Sequence, residues 1–263
     1  MRQTRVGPGR RRGRGHTEWW QSYFDAHYLL EYEPLFSLER DRRETARLIE
    51  LLGLPVGARV LDVPCGQGRH AHLLAEAGYD VRGLDYSRYL LSVARARGTG
   101  PRLRYQQGDM RALPTQWTGR FDAVTNLFTS FGFFLDPGDD RRVLAQFARV
   151  LRPGGLLIWQ GGSRDGIMAR FLARDWWRTA DGTLVAQERT FDPLSGILTV
   201  DTSWSGPGGA GERPHRIRLY SASQLAALLA AHGLVVEAAY DGWSDRPMTR
   251  RSSQMLLVAR KEG

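Results

Sequence analysis

Apolar positions alternate between two periods along most of this chain. Short runs rich in β-branched and aliphatic residues occur at 59–63, 79–84, 102–106, 121–127 and 156–160, and each reads as a buried strand. Between them apolar residues recur at helical spacing. Leu48, Ile49 and Leu52 end a helix begun at Ser37 and stopped by Gly53; His70, Leu73, Leu74 and Ala77 lie on one before Gly78; Val143, Leu144, Phe147 and Leu151 lie on one opened by Asp136-Pro137. Ser87 caps a further helix to Arg97. Strand and helix in strict alternation predict a parallel sheet covered on both faces.

The rhythm breaks over 164–217. Residues 184–191 and 197–204 read as strands joined by the hairpin signal Asp192-Pro193-Leu194-Ser195-Gly196. Gly206-Pro207-Gly208-Gly209-Ala210-Gly211 reads as a flexible turn, and 214–220 as a third strand, which together predict an antiparallel flap beside the main sheet. Ser221-Ala222-Ser223-Gln224 then has capping-box spacing before a helix with Leu225, Leu228 and Leu229 inward, and 234–240 and 253–260 are the last strands. At the other end Thr17 caps a helix running to about Tyr32, with Trp20, Phe24, His27 and Tyr28 on one face. That face serves either as packing against the domain or as a lid over a site.

The chain has 263 residues and 42% hydrophobic content, enough for one large domain with an insertion. Its single cysteine, Cys65, allows no internal disulfide and points to a reducing compartment, here read as the cytoplasm. No apolar run is long enough for a membrane helix, and the basic N-terminus is not followed by the apolar segment a signal peptide needs. The net charge of +9 is concentrated at the N-terminus. Residues 2–14 carry six arginines and no acid, and without them 31 basic residues face 28 acidic ones. The body therefore does not have the basic surface of a nucleic-acid-binding domain. Residues 1–16 read as a disordered Arg/Gly-rich tail, with an RNA-binding arm as the alternative.

The chemistry concentrates in Val60-Leu61-Asp62-Val63-Pro64-Cys65-Gly66-Gln67-Gly68-Arg69-His70-Ala71, a strand, a glycine turn and a helix start. Gly66-x-Gly68-x-x-Ala71 fits a relaxed nucleotide-binding fingerprint. Asp62, on the strand end, would repel a diphosphate and suits a ligand bearing an ammonium group. Asp85 ends the second strand, where a carboxylate accepts hydrogen bonds from ribose hydroxyls, and Asp109 follows the third. Asn126 ends the fourth, and Phe128, Phe131, Phe133 and Phe134 follow it as a pocket wall or as core. No metal-ligand spacing appears among the six histidines and the cysteine, so no metal is expected.

These residues, with Gly83-Leu84-Asp85, Gly108-Asp109-Met110 and Leu151-Arg152-Pro153-Gly154-Gly155, resemble the class I S-adenosylmethionine (SAM)-dependent methyltransferases of small-molecule type. The resemblance covers residues 45–160 closely and the stretch from Arg218 onward more loosely. Pro64 departs from it, standing where the family more often has glycine, and as it lacks a backbone donor it is a poor contact residue. The resemblance implies an α/β, Rossmann-like methyltransferase fold. Its sheet is mostly parallel with an antiparallel last strand beside the fifth, here with a small antiparallel β insert at 164–220, in one domain over 17–263 whose residues 17–36 are the lid candidate. It also implies SAM as cofactor, with Asp62, Cys65, Gly66, Gly68, Asp85, Tyr86, Asp109, Met110 and Asn126 around it.

Methyl transfer is an in-line displacement with an activated leaving group, so positioning dominates and a base is needed only for a protonated nucleophile. Tyr23, His27, His215 and Tyr220 are the candidate bases; Tyr23, Phe131, Trp177, Arg218 and Tyr220 are the expected lining of the acceptor pocket. Cys65, inside the turn and without a partner base, is not a nucleophile. The expected acceptor is an amine or hydroxyl of a small metabolite, with no membrane partner and a monomer or homodimer as the assembly. Two alternatives stay open at this level: an RNA or protein methyltransferase guided by the arginine tail, and a protein of this fold that binds SAM without transferring methyl.

Overall fold

The computed structural model describes residues 18–263. Its central sheet has seven strands: β1 (Arg59–Asp62), β2 (Asp80–Asp85), β3 (Leu103–Gln107), β4 (Phe121–Asn126), β5 (Leu151–Gly162), β10 (Leu234–Asp241) and β11 (Gln254–Lys261). The order is β10-β11-β5-β4-β1-β2-β3. The first five strands run parallel, and β11 lies antiparallel between β5 and β10. This is the Rossmann-like arrangement with an antiparallel last strand that the sequence implied. Helices α3 (Leu38–Leu52), α4 (Arg69–Glu76), α5 (Arg88–Arg97), α6 (Pro137–Val150) and α8 (Ala222–Ala230) cover its two faces. One apolar cluster includes Leu61, Val124, Phe147 and Leu157; the other includes Leu48, Val60, Leu74 and Ile158. Alternate residues of β1 and β5 thus feed opposite faces, as a sheet buried on both sides requires.

The predicted caps are formed. The Ser37 hydroxyl accepts from Arg40 N at 3.2 Å, and Gly53 closes α3 at φ 55°. Ser221 and Gln224 make the reciprocal capping box of α8. Ala77, expected on the inner face of α4, is exposed, because it lies past the last helical residue.

Between β5 and α8 the chain builds a separate antiparallel sheet, β6 (Arg174–Arg178), β7 (Leu184–Asp192), β8 (Ile197–Gly206) and β9 (Gly209–Arg218), preceded by the short helix α7 (Arg164–Met168). It has four strands where the sequence suggested three. Strand β6 was missed because it lies on an edge and is mostly solvent-exposed, so it carries no apolar alternation. The glycine run at 206–211 belongs largely to the ladder rather than to a loose turn. Gly206 pairs with Gly209, and a Cβ on Gly211 would stand 2.4 Å from the Trp204 ring that crosses it. Strand β9 ends at Arg218, so Tyr220 lies outside it and bridges Ser163 instead.

The single helix expected over 17–32 is two short ones, α1 (Trp20–Tyr23) and α2 (Ala26–Glu31); Thr17 lies outside the described residues. Two competitors break it. The Asp25 carboxylate caps a new helix by accepting from Tyr28 N at 3.1 Å. Arg213 of the insert donates to the Tyr23 carbonyl at 2.9 Å, taking an acceptor that a continuous helix would use. None of the helices among the described residues is long and apolar enough to cross a membrane.

Candidate active site

A cavity opens at the C-terminal ends of β1, β2 and β4, where an open α/β sheet binds its ligands. Asp62, Cys65, Gly66, Asp85, Tyr86, Asp109 and Met110 all line it. Sheet register brings them together: Asp62 pairs with Gly83 and Thr125, and Asp85 with Gln107.

Each carboxylate is held differently. Asp85, 5% exposed, accepts from the amides of Gly66 and Ser87, both at 2.8 Å. Burial pushes its pKa up to about 6 against those hydrogen bonds. Asp62, 2% exposed, accepts from the Thr125 hydroxyl at 2.8 Å. Burial pushes it up to about 7, against the Thr125 hydrogen bond and the nearby Arg69 charge. Asp109 faces the cavity edge, but both its oxygens accept from the Arg111 guanidinium, which also reaches Glu18 and Asp139. Its carboxylate is thus already paired with a guanidinium. Cys65 is buried and its thiol is pushed well up, leaving it a neutral wall residue.

Two residues expected at the cofactor are absent from the wall. Asn126 is fully buried and spends its amide on the Val63 carbonyl at 2.8 Å, tying β4 to the end of β1. Gly68 caps α4 at φ 75°, where a Cβ would stand 2.4 Å from the Tyr105 hydroxyl; it shapes the turn from behind. Pro64, set aside as a contact, does line the cavity.

The remaining wall comes largely from the aromatic segments read from sequence as a lid or a pocket wall, with Phe36 added. Trp20, Phe24, Tyr28 and Phe36 close it from the N-terminal segment, and Phe128, Phe133 and Phe134 from the loop after β4. Phe128 and Thr129 both have φ 58°, a conformation that costs a non-glycine residue free energy. Gln160 holds them there: its side-chain oxygen accepts from Phe128 N at 2.7 Å and its carbonyl from Thr129 N at 3.1 Å. Arg69 also fronts the cavity, 5% exposed, on the first residue of α4. A cation there opposes the helix dipole, a sequence signal that could have marked it.

A second chamber, of about 380 Å³, adjoins the first. Phe24, Tyr28, Phe128, Ser130 and Phe133 line both. Its far wall is the inner face of the insert, with Gln187, Arg189, Val200 and His215, and among the described residues no aspartate or glutamate contributes to its lining. Tyr23 is in this wall. Its hydroxyl lies 3.0 Å from His215 Nδ1 and 3.3 Å from the Glu31 carboxylate. Glu31 is itself buried and accepts from Arg213 and Gln187, each at 3.0 Å. Burial, with Arg213 and Arg189 nearby, lowers His215 to about 4, and burial pushes the Tyr23 hydroxyl far up. At neutral pH both are uncharged.

The other expected acceptor residues are employed elsewhere. Phe131, 2% exposed, packs between Trp159 and Tyr220 in the core. The Tyr220 hydroxyl donates to buried Asp140 at 2.6 Å. Arg218 donates to the carbonyls of Ser195 and Leu135. Trp177 donates from its indole to the Glu31 carbonyl at 3.1 Å, pinning the insert to α2. His27 is exposed and stacks on Trp204 outside the chamber.

Known proteins bear on this site. A family model described as a methyltransferase domain matches residues 60–155. The chain spans about half the length of the first curated relatives it matches. One is a glycine/sarcosine N-methyltransferase of Halorhodospira halochloris, 35% identical over 141 residues, 52% of this chain and 53% of the relative. A longer match is the dTDP-3-amino-3,6-dideoxy-alpha-D-glucopyranose N,N-dimethyltransferase of Streptomyces fradiae, 30% identical over 225 residues, 78% of this chain and 81% of the relative. This chain belongs to the SAM-dependent methyltransferases. Among solved structures, the CcbJ methyltransferase from Streptomyces caelestis superposes with a TM-score of 0.76 at 20% identity, over 89% of this chain and 96% of that one, a likeness of fold. The cofactor of a SAM-dependent methyltransferase carries an ammonium, a sulfonium and a ribose. Asp62, a buried carboxylate with no ion-pair partner among the described residues, and Asp85, at a strand end, have the chemistry to receive the first and the last.

Proposed function

We propose that this protein transfers the methyl group of SAM to the amine of a small-molecule acceptor held in the second chamber. The observation that carries the reading is the chamber's electrostatics: it lies against the cofactor cavity, has no carboxylate in its lining, and holds His215 uncharged. A nucleophilic amine must arrive neutral. A chamber without anions disfavours an ammonium and lowers its pKa, so it delivers the reactive form. A hydroxyl acceptor would instead need a base strong enough to take its proton, and a histidine lowered to about 4 is poorly suited. The Streptomyces fradiae relative, named for an amino-sugar acceptor, supports an amine of that kind.

In this reading Asp62, Gly66, Asp85, Tyr86 and Met110 hold the cofactor, whose sulfonium supplies an activated methyl. Glu31, fixed by Arg213 and Gln187, accepts a hydrogen bond from the Tyr23 hydroxyl. His215 Nδ1–H then donates to Tyr23, which leaves Nε2 as a hydrogen-bond acceptor for an amine N–H. That bond aims the lone pair; most of the rate comes from alignment. Phe24, Phe128 and Phe133 exclude water between the two spaces. The test is incubation with SAM and paired amino and hydroxy sugars, free and dTDP-linked, with products read by mass spectrometry. A methylated amine is the expected product. Methylation of the hydroxy partner alone would overturn the reading.

A further inference from the structure

Arg69 places a charged, buried donor at the wall of the cofactor cavity. Its Nη1 donates to Asp41 Oδ1 and to Glu44 Oε2, both at 2.8 Å. Its Nη2 is buried and has no hydrogen-bond partner among the described residues. The guanidinium carbon lies 4.9 Å from the Phe128 ring centroid and 5.6 Å from that of Phe36, so two aromatic faces flank the cation. Leaving a charged donor unpaired away from water costs free energy, and cation–π contacts offset only part of that cost. An anion in the cavity would supply the missing acceptor.

The surroundings say which anion. Asp62, also in the wall, makes no ion pair among the described residues; burial raises its pKa, and the Arg69 charge offsets only part of that rise. A buried site with one unsatisfied anion and one unsatisfied donor suits a zwitterion, and the amino-acid end of the cofactor is one. We propose that Arg69 receives the α-carboxylate of SAM through Nη2 while Asp62 receives its ammonium. Asp41 and Glu44 are then positioning residues: they hold Nη1 and leave the other nitrogen to the ligand. This rests on SAM occupying the cavity, and the experiment separates the two claims.

Calorimetry with S-adenosylhomocysteine and its decarboxylated analogue avoids turnover. The intact protein should bind the first more tightly by on the order of 10- to 100-fold, the range for a hydrogen bond to a charged group. Arg69→Met should bind both within about threefold of each other. Should that variant fail to fold, Arg69→Lys keeps a charge for Asp41 and Glu44 but lacks the forked donors, and the preference should shrink at least about fivefold. A purely structural Arg69 would weaken both ligands alike and keep their ratio. A wild-type ratio below about threefold, or an unchanged ratio in the variant that folds, overturns the proposal while leaving the cofactor assignment standing. Failure of the intact protein to bind S-adenosylhomocysteine at all overturns both.

Discussion

The two halves of the site are built on opposite electrostatic plans. On the proposed cofactor side, Asp62 and Asp85 are buried carboxyls whose ionisation that burial disfavours, a penalty a cationic or hydrogen-bonding ligand would relieve. On the proposed acceptor side, the buried carboxylate Glu31 is already paired with Arg213, and the chamber lining among the described residues holds the cation Arg189 and no carboxylate. One half suits a cation and the other disfavours it. Their construction differs too. The cofactor half hangs on the ends of adjacent parallel strands. The acceptor half joins α1 and α2 to an insert about 180 residues later, through Tyr23, Glu31 and Arg213.

The largest expected effect tests that joint. Glu31→Ala strands Arg213 without its buried partner and should lower stability by about 3–5 kcal/mol, read as a fall in the denaturation midpoint. An unchanged midpoint would mean the N-terminal segment and insert are not coupled through this pair. Next comes the cofactor half. Asp85→Ala should weaken S-adenosylhomocysteine binding by about 1.5–3 kcal/mol by calorimetry; equal affinity would remove Asp85 from the site.

A pH titration sharpens the contrast. A cationic ligand binds the ionised form of Asp62, which sits near pKa 7 in the free protein. Affinity for S-adenosylhomocysteine should therefore fall about tenfold from pH 8 to pH 6 on account of this group. The sign reverses for the free fold: Asp62 binds its proton more tightly folded than unfolded, so its penalty on stability is relieved as pH falls through 7. Asp62→Asn should flatten the binding profile, and a profile as steep as wild type would reassign the titration.

The smallest effect belongs to the acceptor half. Tyr23→Phe removes one hydroxyl from the His215 network and should change kcat or KM several-fold, about 1 kcal/mol, with S-adenosylhomocysteine affinity within about twofold. A large loss of cofactor affinity instead would erase the division between the two halves.

Local pattern carried most of the fold. Residues with side-chain period 2 or 3.6, glycines at turns and serines at caps act on their near neighbours, so the sheet, α3, α8 and the strand-end aspartates were legible. Edge strand β6 carried no such signal, and the glycine ladder of β8 and β9 looked like a loop because pairing uses backbone alone.

The candidate site divides along the same line. The sequence by itself determined Asp62, Gly66, Asp85 and Met110 as cavity residues, because a strand end and the turn after it share one edge of the sheet wherever the rest of the chain goes. Only the tertiary structure decided the acceptor side. Tyr23, Phe131, Trp177, Arg218 and Tyr220 were equal candidates by type and position, yet of these only Tyr23 faces the chamber. The others are bound to partners that lie far along the chain or are packed in the core, as with Tyr220 on Asp140 and Trp177 on Glu31. Which of several aromatic residues meets a ligand depends on which of them finds a partner first, and long-range packing settles that.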